Sequence, residues 1–388
     1  MFQRSLLQGS NAGRSRHRNR RAVLGQIHHG GTMGRAEIAR VLSLSTQAVS
    51  NIIAELSEDG LLIERGHLTI GRGMPAKQYA LNPKGGYAFG IEVRPDAVLA
   101  ALLNMEGRAV TTKRVALKKA DPDTIVNEIK SLYHEALGCE AGAHARMLGA
   151  GIVMPGPFGA TGIVGHGSGL EGWGDIDTNT LFSDALGLPV EVSNDANAAA
   201  MAERLSGAAQ GLSTYAYLYF GAGLGLGLVS GGNLARGAFG NAGEIGHIPV
   251  PGCRDNLESA LSRLSVQEHL TRAGKRGDDI EALAALFENE DKDLKSWLVP
   301  ATEALAYAVT IVENVFDPQT IILGGAMPDS ILDHFVANTP LPSQSVSNRP
   351  NSALPRLQRG ASGRMTATLG AAALVLHRTL SPHIAHAH

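Results

Sequence analysis

The sequence is poor in the features that place a chain in a membrane or outside the cell. No stretch of its 388 residues approaches the roughly 20 consecutive apolar residues of a bilayer span, which argues against membrane insertion. Residues 1–30 carry scattered arginines and no apolar run of signal-peptide type, so the cytoplasm is the expected location. There are two cysteines, Cys139 and Cys253. They make a disulfide framework implausible, and each is expected to be an isolated buried thiol. Charge is also sparse: 18% of residues are charged and 44% hydrophobic, enough to bury more than one core and to suggest two or three domains.

The net charge of -2 conceals an asymmetry. Residues 1–84 hold 12 Lys and Arg against 5 Asp and Glu, a net of +7, and the remainder holds 22 against 31, a net of -9. The first segment suits a polyanion and the rest does not. Within it, apolar residues recur at helical spacing in three stretches: Val23, Leu24 and Ile27, then Ile38, Val41 and Leu42, then Val49, Ile52, Ile53 and Leu56. Ser43-Leu44-Ser45 forms a tight connection before the third helix, with Ser45 as its cap, and Gly60 closes that helix. This is helix-turn-helix spacing. The outward face of the third helix presents Thr46, Gln47, Ser50 and Asn51, short polar groups suited to base edges and phosphates. Leu61-Leu62-Ile63 and Gln78-Tyr79-Ala80-Leu81 flank a loop rich in glycine and basic residues, as in a two-stranded wing whose loop brings Arg72 and Lys77 to phosphate. Residues 1–84 are therefore read as a winged helix-turn-helix that contacts operator DNA through Arg35, Ser45, Thr46, Gln47, Ser50, Asn51, Arg72 and Lys77. The same fold also serves protein interaction, so the fold alone does not settle that use.

From Tyr87 onward short β-type runs alternate with helices, an α/β pattern. Strands are expected at 88–91, 98–103, 148–154, 190–192, 215–220, 226–229 and 320–323, and helices at 122–137, 196–205, 266–273 and 301–315. Four motifs then occur in order: Gly151-Ile152-Val153-Met154-Pro155-Gly156-Pro157, Ser193-Asn194-Asp195-Ala196-Asn197-Ala198-Ala199, the glycine loop Gly221-Ala222-Gly223-Leu224-Gly225-Leu226-Gly227, and Gly240-Asn241-Ala242-Gly243-Glu244-Ile245-Gly246-His247. Together they resemble the ROK family of repressors and sugar kinases, in particular its xylose-repressor and N-acetylglucosamine-repressor group. Gly9-Ser10-Asn11 is similar to the start of the family's regulators.

The resemblance implies a two-lobed, actin-like ATPase fold with sugar in the interlobe cleft. The first α/β lobe would span 85–193, completed by a helix at 366–380, and the second, with a dimerisation surface, 194–365. A sugar is neutral and covered in hydroxyls, so its site needs carboxylates and amides in fixed directions. The resemblance assigns ligand contact to Asn194, Asp195, Glu244, His247 and Glu258, with Asp195 at the position of the kinase base. Two departures follow. Where family kinases carry a first phosphate loop, this chain reads Gly90-Ile91-Glu92-Val93-Arg94-Pro95-Asp96, without a glycine pair and with Pro95 removing an amide donor. Where most members complete a zinc site with a cysteine cluster, this chain reads Pro249-Val250-Pro251-Gly252-Cys253-Arg254-Asp255-Asn256.

The expectation is a regulator that is not an enzyme, binds no metal or cofactor, and forms a homodimer or tetramer. A sugar or sugar phosphate in its cleft would alter operator affinity. The resemblance also admits an active sugar kinase with a DNA-binding arm, and a regulator held by a protein partner such as a sugar transporter.

Overall fold

The computed structural model describes residues 12–68, 76–156, 170, 172–173, 176–250, 256–361 and 363–381. Gly9-Ser10-Asn11, Arg72, Pro157, Glu171 and Cys253 lie outside the described residues.

The basic segment folds as α1 (Ala12–Gly30), β1 (Met33–Gly34), α2 (Arg35–Leu42), α3 (Thr46–Glu58), β2 (Leu62–Leu68) and β3 (Ala76–Leu81). The strands form one antiparallel sheet in the order β1-β3-β2, so the helices carry a winged helix-turn-helix. Leu24, Ile27, Ile38, Val49, Ile53 and Leu56 make its core, whereas Val41, expected inward, stays 45% exposed.

The body continues with β4 (Tyr87–Val93), β5 (Ala97–Asn104), β6 (Ala109–Ala116), α4 (Pro122–Gly138), β7 (Met147–Val153), α5 (Thr178–Leu186), β8 (Val190–Ser193) and α6 (Asp195–Ser206). It then adds β9 (Tyr215–Phe220), β10 (Leu224–Ser230), β11 (Asn233–Leu234), α7 (Leu257–Leu261), α8 (Arg263–Arg272), α9 (Ile280–Glu288) and α10 (Lys292–Phe316). The last elements are β12 (Ile321–Gly325), α11 (Asp329–Asn338), β13 (Leu357–Arg359) and α12 (Thr366–Leu380). The two five-stranded sheets run β6-β5-β4-β7-β8 and β11-β10-β9-β12-β13. In each, three antiparallel strands are followed by two parallel ones reached through helical crossovers. Identical connectivity in two lobes is the actin-like plan. Cys139, at the end of α4, is exposed rather than buried, because the helix turns its apolar face of Ile125, Ile129, Leu132 and Ala136 away from it.

The lobes are joined by their closing helices. Helix α6, which follows the first sheet, lies on β9 and β10 of the second, and α12, which follows the second sheet, lies on β4, β5 and β7 of the first. Both helices are lined with small residues, including Ala196 and Ala198–Ala200 in α6 and Gly370–Ala373 in α12. A Cβ at Gly370 would stand 1.9 Å from the Ala198 carbonyl oxygen, one at Gly151 1.8 Å from that of Ala371, and one at Gly90 2.4 Å from that of Thr368. Only hydrogen fits at these crossings. The core of the winged domain is continuous with this helix pair, because α1 packs on α12 with Gly25 against the Leu380 carbonyl.

Gly151→Ala is expected to cost about 3 kcal/mol or to prevent folding, because overpacking meets backbone rather than a movable side chain. Gly138→Ala, with nothing within 4 Å of its added Cβ, should change little. Urea denaturation of the two variants checks the difference.

Candidate ligand cleft and nucleic-acid interface

Helix α3 begins at Ser45, whose hydroxyl oxygen accepts the Ala48 amide at 3.1 Å, after a left-handed turn at Ser43. Val49, Ile52, Ile53 and Leu56 face inward, leaving Thr46, Gln47 and Asn51 exposed and Ser50 half-buried. The Gln47 amide donates to Asn51 Oδ1 at 3.0 Å, so two amides one turn apart are aligned on the free face. Arg35, at the start of α2, donates to the Tyr79 hydroxyl and lies over its ring, 5.2 Å from the centroid, which ties the helices to the wing. Lys77 belongs to strand β3 rather than to the wing loop and pairs with Glu64 at 2.9 Å. Part of the basic excess is used internally, with Arg16 and Arg20 on α1 pairing with Glu55 on α3 and Arg20 also with Asp59 just after it.

A cavity of about 680 Å³ opens between the lobes. It is lined by all five residues expected there: Asn194, Asp195, Glu244, His247 and Glu258. The first two sit where β8 gives way to α6. Asn194 is the cap, with Oδ1 accepting the Asn197 amide at 2.9 Å, and Asp195 Oδ1 accepts the Ala196 amide at 2.8 Å. The Asp195 carboxyl is pushed up to about 7, first by burial and then by the nearby Glu92 carboxylate, with Glu244 adding to the effect and the Ala196 amide opposing it. Glu244 begins a single helical turn that ends at His247 and stands 3.7 Å from its Nε2. Burial raises the Glu244 carboxyl above its usual range, while His247 opposes and Glu258 reinforces the shift. Glu258, at the start of α7, accepts the Leu224 amide of the glycine loop at 3.1 Å.

The glycine loop is shaped around these carboxylates. A Cβ at Gly223 would lie 2.0 Å from Glu258 Oε2, and one at Gly221 3.0 Å from Asp195 Oδ2. Opposite, the segment at the phosphate-loop position is a tight turn in which the Arg94 amide bonds the Ala97 carbonyl at 2.8 Å. Buried Glu92 accepts Arg94 Nε at 2.6 Å and the Thr368 hydroxyl of α12 at 2.6 Å. This clasp was not foreseen as a unit, because its members lie far apart in sequence and a lone threonine carries no signal. Trp173 belongs to the first-lobe core, where it stacks on Phe182 and donates to the Ala120 carbonyl at 2.8 Å. Gly324 lies against the Tyr217 hydroxyl and serves the packing of β12 on β9. Among the described residues no group of three His, Cys, Asp or Glu could hold a metal ion, and no helix is long and apolar enough to cross a membrane.

The helix-turn-helix is joined to a two-lobed, actin-like body with a polar cleft between its lobes. The chain belongs to the ROK family, whose model matches residues 88–378. It is 26% identical to the xylose repressor of Caldicellulosiruptor bescii over 334 residues, covering 79% of this chain and 82% of that one. It is also 28% identical to a glucokinase of Halalkalibacterium halodurans over 314 residues, covering 72% of this chain and 90% of that one. The solved structure of a ROK family transcriptional regulator, a homolog of the E. coli MLC protein, aligns with a TM-score of 0.73 at 24% identity, covering 95% of this chain and 98% of that one. Repressors and kinases thus both stand among its relatives.

An acid whose pKa is raised on folding destabilises the fold as pH climbs from its unfolded value near 4 to its folded value near 7. Asp195→Asn, which keeps an oxygen for the Ala196 amide, should therefore gain about 2 kcal/mol over wild type at pH 8 and lose that advantage near pH 4. Chemical denaturation across that range measures it.

Proposed function

We propose that this chain is a sugar-responsive transcriptional repressor of carbohydrate uptake or catabolism genes, acting in the cytoplasm as a dimer or tetramer on operator DNA. The observation that carries the reading is the pairing of a polar sugar set with a self-filled phosphate region. Asn194, Asp195, Glu244, His247 and Glu258 line one cleft, while Glu92 and Arg94 bind each other where a kinase would need free donors. The body then holds sugar without transferring phosphate, and Asp195 acts as a hydrogen-bonding contact. The repressor relatives, and the regulator structure that spans both the arm and the body, support the same conclusion.

Coupling runs through α12. Its 15 residues extend about 22 Å at 1.5 Å per residue. Near its start Thr368 holds Glu92 at the cleft, and its end carries α1 of the winged domain. A sugar that favours one lobe closure shifts α12 and with it the spacing of the two recognition helices of a dimer.

Operator fragments selected from random DNA by the purified protein supply the assay. Gln47→Ala and Asn51→Ala should each weaken binding by about 1–3 kcal/mol in gel shift, as expected for a lost base contact. Glu244→Ala should leave operator affinity intact and abolish its response to sugar. If no sugar in a broad panel changes operator affinity, the sensor reading is wrong. A second reading, an active kinase with a DNA-binding arm, is favoured by the base position of Asp195 and by the glucokinase relatives. Sugar-dependent ADP release would establish it.

A further inference from the structure

We infer that the junction between the winged domain and the body holds a second ligand site, suited to a small organic carboxylate with an apolar body. A cavity of about 320 Å³ opens there, within the size of pockets that hold small ligands. One wall belongs to the winged domain, through α1 and Leu42 at the end of α2, and the other to the body, through the carboxyl-terminal halves of α6 and α12. The interlobe cleft sits at the opposite, amino-terminal ends of these two body helices, where Asp195 and Thr368 stand, and no residue lines both cavities. Because its walls belong to different domains, a ligand bound here would favour one placement of the winged domain on the body.

The titratable side chains of this cavity are all basic. His28 and His29 of α1, Arg204 of α6 and His377 of α12 line it, and among the described residues no Asp or Glu does. Arg204 Nη1 donates to the Leu212 carbonyl, and the guanidinium has no carboxylate partner among the described residues. The rings of His28 and His29 make no hydrogen bond to the described residues. A guanidinium and two imidazoles gathered without a carboxylate are half of a charge-assisted pair, and a ligand carboxylate supplies the other half. Much of the remaining lining is hydrocarbon, from Leu42, Met201, Leu205 and Leu380, which an alkyl or aryl body would cover and a bare phosphate would not.

The carboxyl-terminal turns of α1, α6 and α12 also reach the cavity, and their partial negative charge opposes an anion. The basic side chains have to outweigh it, so binding strengthens as the histidines gain protons. His28 is held below its usual value, first by burial and then by His29 and Arg204. Glu106, in the turn between β5 and β6 and 2.6 Å from Arg108, acts in the opposite sense. A bound carboxylate would act on His28 as Glu106 does, so binding takes up a proton as pH falls below neutrality.

Calorimetry on the full chain would compare benzoate and hexanoate with benzyl alcohol and inorganic phosphate at pH 6 and pH 8. At least one carboxylate is expected to bind, about tenfold more tightly than the alcohol or phosphate at pH 6, and at least threefold more tightly at pH 6 than at pH 8. Arg204→Gln and His28→Gln should each weaken it about tenfold, as for a lost hydrogen bond to a charged group, with the fold checked by circular dichroism. Arg272→Gln, which removes an exposed cation of α8 away from the cavity, should leave it unchanged. Any of four results would overturn the inference: no binding of either carboxylate at pH 6, an alcohol or phosphate that binds as well, affinity that does not rise on acidification, or binding that survives in folded Arg204→Gln and His28→Gln. The sugar-sensor reading does not enter these outcomes, since no sugar is used.

Discussion

The contact of α6 with α12 is the constraint on which the molecule depends. Gly370 lets the α12 backbone reach the Ala198 carbonyl, and Gly90 and Gly151 let the same helix settle onto β4 and β7. The distance between the lobes is thus set by backbone meeting backbone rather than by side chains that can repack. Each functional position inherits this spacing. Asn194 and Asp195 sit at the first turn of α6, and Thr368, which fixes Glu92, sits at the first turn of α12, so both helices aim their N-termini into the cleft they separate.

That geometry explains the electrostatics of the cleft. A helix N-terminus attracts negative charge, and here the charge is built into the chain as Asp195 instead of being left for a ligand. Burial, reinforced by Glu92 and Glu244 close by and opposed by the Ala196 amide, pushes the Asp195 carboxyl up to about 7. The acceptors of this cleft are already held in place, Asn194, Asp195 and Glu258 by backbone amides and Glu92 by Arg94.

Much of this was legible in the sequence, for identifiable reasons. Helix α3 and its Ser45 cap follow from 3.6-residue periodicity and local chemistry, and both are found where the pattern puts them. The strands that flank the cleft are largely apolar, apart from Glu92 in β4 and Glu191 and Ser193 in β8, and are equally plain. Strand β6 was missed because it is an edge strand, largely exposed, with Lys113 and Arg114 facing water. Helix α10 begins at Lys292, nine residues before the expected start, and continues through Pro300, a residue that ordinarily marks a helix boundary. The Glu92–Arg94–Thr368 clasp was invisible, since a hydrogen bond across 276 positions leaves no local trace. Lys77 was placed in the wing loop because composition marks a basic run but not the residue at which pairing resumes.

The same long-range clasp has a consequence for biosynthesis. A ribosome adding about 5–20 residues per second needs roughly 15–55 s to pass from Glu92 to Thr368. For the later part of that interval, once β8 has ended at Ser193, the first sheet and the winged domain are complete in sequence, while the helix that covers the one and carries the other does not yet exist. The small-residue faces of β4 and β7 and the docking side of α1 are then open to solvent and to other chains. The nascent protein therefore relies on chaperone cover or slow collapse for longer than its sequential domain order suggests, and a chain cut short within the second lobe would leave the first unfinished as well.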